Sequence, residues 1–118
     1  MLRLEFSPNG AFNVTEYGSV VVPDHFQALY AYSPYQHVKD GTEYPAILMT
    51  TGNNDWRVDP MQSRKMAARL QASGTKQPVL LRTSSTAGHG IGSSVAEEVR
   101  LWTDIDAFLL HYLAPAGG

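Results

Sequence analysis

Apolar positions along the chain fall into a few blocks of distinct spacing. Tyr44-Pro45-Ala46-Ile47-Leu48-Met49-Thr50-Thr51-Gly52 runs without polar alternation between Pro and Gly, the pattern of a parallel strand covered on both faces. Pro78-Val79-Leu80-Leu81-Arg82-Thr83-Ser84 is a second β-like run. Between them, Pro60 opens a stretch over 61–72 that carries Met66 and Leu70 on one face. Arg64, Lys65 and Arg69 lie largely off that face and Gly74 supplies the stop, so a helix is predicted. After Pro23-Asp24, the spacing of Phe26, Leu29 and Tyr30 predicts a short helix ended by Ser33-Pro34. Val95, Val99, Trp102, Ile105, Leu109 and Leu113 draw a helical stripe through 94–113. Residues 1–20, 35–44, 53–60 and 86–94 read as turns and loops, with Asp40-Gly41 the clearest break.

The order is loop, helix, strand, helix, strand, helix, which is α/β with a parallel, right-handed βαβ unit at its centre. No internal repeat or low-complexity tract interrupts it. Two parallel strands do not make a stable sheet alone, because their faces and outer edges expect neighbours. The chain therefore reads as the last part of a larger doubly wound domain. Exposed strand edges favour pairing with another chain, so a homo-oligomer is expected, with Phe6, Phe12 and the 95–113 stripe as candidate interface residues. Packing of those residues within the protomer is the alternative.

Composition narrows the function classes. The chain has 118 residues, no cysteine, and nine Lys/Arg against eleven Asp/Glu, for a net charge of −2. A disulfide-stapled module and a Cys-based zinc site are excluded. The slightly acidic balance, with no basic run, argues against a nucleic-acid partner. No apolar stretch is long enough to cross a membrane, and MLRLEFSPNG lacks a signal-peptide core. Absence of cysteine fits cytoplasm or periplasm; the cytoplasm is expected, the periplasm remaining open for a longer parent.

Candidate chemistry sits just after each strand. Gly52-Asn53-Asn54-Asp55-Trp56-Arg57-Val58 follows the first, and Ala87-Gly88-His89-Gly90 the second. Reacting groups gather at the carboxyl ends of parallel strands, so adjacent loops can bring Asp55 and His89 within hydrogen-bond reach. A carboxylate on one imidazole nitrogen fixes the tautomer and makes the other nitrogen a base. Glycines on both sides of His89 allow a sharp turn. Arg57 offers a donor fork to a substrate carbonyl or carboxylate. Spacing alone leaves a turn or capping role open for Asp55 and a solvated loop position open for Arg57. His25, His37 and His111 show no partner spacing and read as surface or packing residues; no metal-ligand pattern is present.

These segments, together with Thr15-Glu16-Tyr17-Gly18, Tyr30-Ala31-Tyr32-Ser33-Pro34, His37-Val38-Lys39 and Tyr44-Pro45-Ala46, resemble the C-terminal end of the prolyl oligopeptidase family of serine peptidases. The resemblance covers nearly the whole chain in order and spacing. It implies that residues 1–118 are the C-terminal portion of an α/β-hydrolase domain, a partial α/β-hydrolase fold completed by self-association. It also implies a serine hydrolase of peptide bonds or small esters, without metal or cofactor. Asp55 and His89 match the acid and base of a Ser-Asp-His triad. Arg57 matches a substrate-binding arginine, Val58 a pocket wall, and Tyr17 a residue of the proline pocket. Trp56 stands where the family usually has an acidic residue. Phe12, Asn13 and Val14 occupy the region of an expected specificity tryptophan.

The nucleophile of that family sits in a Gly-x-Ser-x-Gly elbow, and none occurs in these 118 residues. The chain is accordingly expected to be a fragment, a truncated reading frame or one piece of a split protein. Met1-Leu2-Arg3 itself resembles an internal stretch of the family. The candidates for a replacement nucleophile are Ser84, Ser85, Ser93 and Ser94, which flank the His89 loop. The alternative is a catalytically weak or inactive remnant that self-associates.

Overall fold

The computed structural model describes residues 2–90 and 93–114. Strands β1 (Ile47–Gly52) and β2 (Val79–Ser84) pair in parallel, with Ile47 opposite Val79 and Gly52 opposite Ser84. Because the two ends are in register, both strands release their loops side by side at one edge. Parallel pairing requires a crossover, and the predicted helix supplies it between the two strands.

Among the described residues, five short elements precede the sheet. Leu4–Phe6 and Gly10–Asn13 are 3-10 turns, and α1 (Val14–Tyr17), α2 (Pro23–Tyr32) and α3 (Pro34–His37) follow. The single turn α3 lies where the apolar pattern predicts only loop. Its Pro34 supplies a helix-ready φ at the first position, while Ser33 links to Gln36 across it. The break at Asp40-Gly41 is present, with Gly41 at φ 73. His37 packs edge-on to Tyr30 and bonds its carbonyl through Nε2 at 2.9 Å. The His25 Nδ1 accepts from Ser19 N, and His111 packs on Tyr112.

The crossover helix α4 (Met61–Gln71) starts where Asp59 Oδ1 accepts from Met61 N at 2.9 Å. Its inward face is Ala67 and Leu70, each 2% exposed, which pack with Val38 and Val79. Met66 lies on the margin of that cluster with Tyr44, Ile47, Met49 and Leu81. Burying a side chain the size of Leu70 stabilises by about 1.5–3 kcal/mol. Arg69 ties α4 to the preceding loop through Asp40 (2.7 Å) and the Val38 carbonyl (2.6 Å).

The last helix, α5 (Val95–Leu113), begins at Ser94, whose Oγ accepts from Glu97 N at 3.3 Å. Its predicted stripe does not face the sheet. Val95, Val99, Trp102, Leu109 and Leu113 are exposed, Trp102 at 60%; only Ile105 is half-buried, together with Leu101 and Phe108. The helix is apolar on more than one side, so periodicity does not single out the docked face. Charge does: Arg82 on β2 bonds Glu97 and Asp104, and positions 97, 101, 104 and 108 lie on one side of a helix.

The outcome is an open slab of 54 × 39 × 20 Å with a Cα radius of gyration of 16.8 Å. A compact domain of this length has about 13.5 Å. Leu29, Val38, Ala67, Leu70 and Val79 are the buried apolar residues among those described, while Phe6 and Phe12 are exposed. No helix among the described residues is long and apolar enough to cross a membrane.

Candidate active site

The two loops are stitched together before they reach the reacting groups. Asn53 N donates to the Ser84 carbonyl at 2.8 Å and Asn54 N to the Ala87 carbonyl at 3.2 Å. The Asn54 side chain adds a bond from Nδ2 to the Ser85 carbonyl at 3.0 Å. Such close approach requires Gly52 at the end of β1. A Cβ there would sit 2.3 Å from the Ala87 oxygen and 2.6 Å from that of Gly88.

Asp55 then turns back on its own loop. Its Oδ1 accepts from Arg57 N (2.9 Å) and Val58 N (2.8 Å), an Asx-type turn. Its Oδ2 lies 2.8 Å from His89 Nδ1, across 34 positions of sequence. Burial, the largest single influence, pushes the Asp55 carboxyl up. The opposing bonds from Val58 N, the His89 ring and Arg57 N outweigh it and hold the carboxyl below its ordinary 3.8. The ionised carboxylate has no proton to give, so Nδ1–H donates. That leaves Nε2 as the lone-pair end of the neutral ring, without a protein partner among the described residues. The Asp55 side chain is 10% exposed and that of His89 40%, a sheltered acid under an accessible base. Gly90, at φ 79, takes the left-handed turn just after His89.

A depressed folded-state value has a definite sign in stability. The Asp55 contribution is present above 3.8 and is lost as pH falls through the lower folded value. Urea unfolding is therefore expected to show Asp55→Asn less stable than the native chain at neutral pH. The gap closes in acid; a gap that persists there contradicts the ionised pair.

Asp55, Val58 and His89 line one cavity of about 340 Å³, with Thr51, Ser63, Ser84 and Leu101 among the other walls. Arg57 is exposed and lines a neighbouring concavity of about 170 Å³ that Asp55 also touches. Tyr17 is not brought to this cavity; it lines a small cleft with Leu4, Glu5 and Leu29. Of the candidate serines, Ser84 and Ser93 line the His89 cavity. The Ser84 hydroxyl accepts from Ala87 N and Thr86 N, and Ser94 caps α5. Ser85 is exposed, its carbonyl held by Asn54. Among the described residues, no serine hydroxyl bonds His89.

The sequence model described as the prolyl oligopeptidase family matches residues 4–116. The chain belongs to the prolyl oligopeptidase family. It is 39% identical over 113 residues to a prolyl endopeptidase of Elizabethkingia miricola, taking in 94% of this chain and 16% of that protein. A prolyl endopeptidase of Dictyostelium discoideum is 37% identical over 112 residues, or 92% of the chain and 15% of the relative. In a solved structure from a comparison of two prolyl endopeptidases, the matching part superposes with a TM-score of 0.91 at 40% identity. That match covers 96% of this chain and 17% of the other. Prolyl oligopeptidase B from Galerina marginata gives 0.85 at 30% identity, covering 95% and 16%. The chain thus spans about 16% of the length of its first relative, and its strands and helices are a partial α/β-hydrolase fold of the prolyl oligopeptidase catalytic domain.

Spacing along this prolyl oligopeptidase segment named Gly52 and Asn54 in the candidate run but not the loop-stitching roles they take, and it missed the Arg82–Glu97 pair. One signal for the last was available. A charged residue inside Val79-Leu80-Leu81-Arg82 must find an acid if the strand is covered.

Proposed function

We propose that this chain supplies the acid and base of a serine peptidase of the prolyl oligopeptidase type. The observation that carries the reading is the 2.8 Å bond between Asp55 Oδ2 and His89 Nδ1 at the lip of a cavity. His89 Nε2 takes the proton of a serine hydroxyl as its oxygen attacks the scissile carbonyl carbon, then delivers that proton to the leaving amine. Asp55 holds the tautomer and stabilises the imidazolium. Water repeats the cycle on the acyl-enzyme and restores the serine. Arg57 binds the peptide backbone, Val58 forms a wall, and Tyr17 belongs to the pocket for the residue preceding the scissile bond. Ser84 and Ser94 are engaged by backbone amides, which favours a nucleophile from a serine elbow outside these residues. Small activated esters are accepted alongside peptides, since they demand less of the base.

The test is a graft. The matching 113-residue segment of the Elizabethkingia miricola prolyl endopeptidase is replaced by this chain, and hydrolysis of a proline-containing peptide is measured. An active chimera that depends on His89 supports the reading. A folded chimera without activity overturns it.

A second reading is supported by the exposed Val99, Trp102, Leu110 and Leu113 on α5 and by the free outer edges of the two-stranded sheet. On this reading the isolated chain self-associates and is catalytically weak. Light scattering is expected to give a mass of at least twice 13.0 kDa. A folded, monodisperse species of 13.0 kDa counts against it.

A further inference from the structure

We infer that Ser84 is a positioning residue for His89, holding the arm that carries the base from a strand end that Arg82 pins to α5. The inference rests on the reading of His89 as the base, but its geometry stands on a separate set of contacts. Arg82 on β2 points both Nη1 and Nη2 at Glu97 Oε1, at 3.2 and 3.1 Å, and Nε at Asp104 Oδ2, at 2.6 Å. Glu97 is 8% exposed, and its other oxygen lies 3.5 Å from Arg100 Nε. A carboxylate sheltered in this way cannot wander, because leaving the guanidinium would strand both charges.

Ser84 stands two residues beyond Arg82 and is 6% exposed. Its Oγ accepts from Ala87 N at 3.0 Å and Thr86 N at 3.3 Å. The Thr86 hydroxyl lies 3.4 Å from the same oxygen. A hydroxyl has one proton and two acceptor sites, so the two amides use its acceptor capacity. Ala87 is gripped from both sides: its N–H by Ser84 and its carbonyl by Asn54. Two residues later the chain places His89 against Asp55. The side chains of Ser84 and Glu97 share their cavity with His89, yet neither bonds its ring.

The readout is the exchange of the His89 Nδ1–H with water, followed by NMR in the isotopically labelled chain. Ser84→Ala is expected to speed it roughly fivefold, the factor that one lost hydrogen bond corresponds to. The amides of β1 and β2 keep their protection, and Ser84→Thr, which retains the hydroxyl, restores the native rate. Unchanged exchange at His89 in Ser84→Ala overturns the inference, as does a loss shared equally with the strand amides. Peptidase activity does not enter this measurement, so a failed graft and a failed positioning role are told apart.

Discussion

His89→Ala in the grafted peptidase is expected to lower kcat by about 10⁶-fold, with little change in KM. The size follows from the role. Without an imidazole, nothing removes the proton from the attacking serine or returns it to the amine. Remaining turnover comes from binding and oxyanion stabilisation. Asp55→Asn is expected to cost about 10⁴-fold, because the amide still fills the site but favours the wrong ring tautomer. The Asx-type turn explains why that variant is the informative one. Oδ1 holds the amides of Arg57 and Val58, so truncation to Ala would also unfasten the loop carrying Arg57. The double variant should fall no further than about the level of His89→Ala, since acid and base act as a unit. Peptide hydrolysis by the His89→Ala graft at the unmodified rate would dismiss the assignment.

Gly52→Ala is the second large effect, and it reaches the site without touching a reacting group. The added Cβ would meet Ala87 O at 2.3 Å, Gly88 O at 2.6 Å and Ala87 C at 2.7 Å, all backbone atoms. Ala87 cannot step aside, being held by Ser84 and Asn54. The two loops must instead separate, which breaks the register that brings Asp55 to His89. Overpacking of this kind costs about 1–3 kcal/mol. Urea unfolding should report that loss, and the protected His89 Nδ1–H should disappear from the NMR spectrum. In the graft, kcat falls while the protein remains folded. Native stability together with an intact His89 signal would mean that the loops have slack that the geometry denies.

The strands, the crossover helix and the last helix were legible in the sequence because their apolar spacing and their Pro and Gly boundaries are local. Met61–Gln71 and Val79–Ser84 fall almost where the punctuation of Pro60, Gly74 and Pro78 puts them. Turn α3 escaped because a single helical turn has too few residues to show a period. The docked face of α5 escaped for a different reason. Its apolar residues surround much of the helix, and the orientation depends on Arg82, which belongs to another element.

The candidate site divides along the same line. Sequence by itself determined that an acid and a histidine follow consecutive parallel strands, hence that they share an edge, and it placed both in a family pattern. Local chain chemistry was enough, since strand direction dictates where loops emerge. Only the tertiary structure decided that Oδ2 and Nδ1 meet at 2.8 Å, that Gly52 is required by the Ala87 carbonyl, and that Glu97 pairs with Arg82 rather than facing solvent. Each of those depends on atoms from segments distant in sequence, and no spacing rule along one chain encodes the distance between two of them.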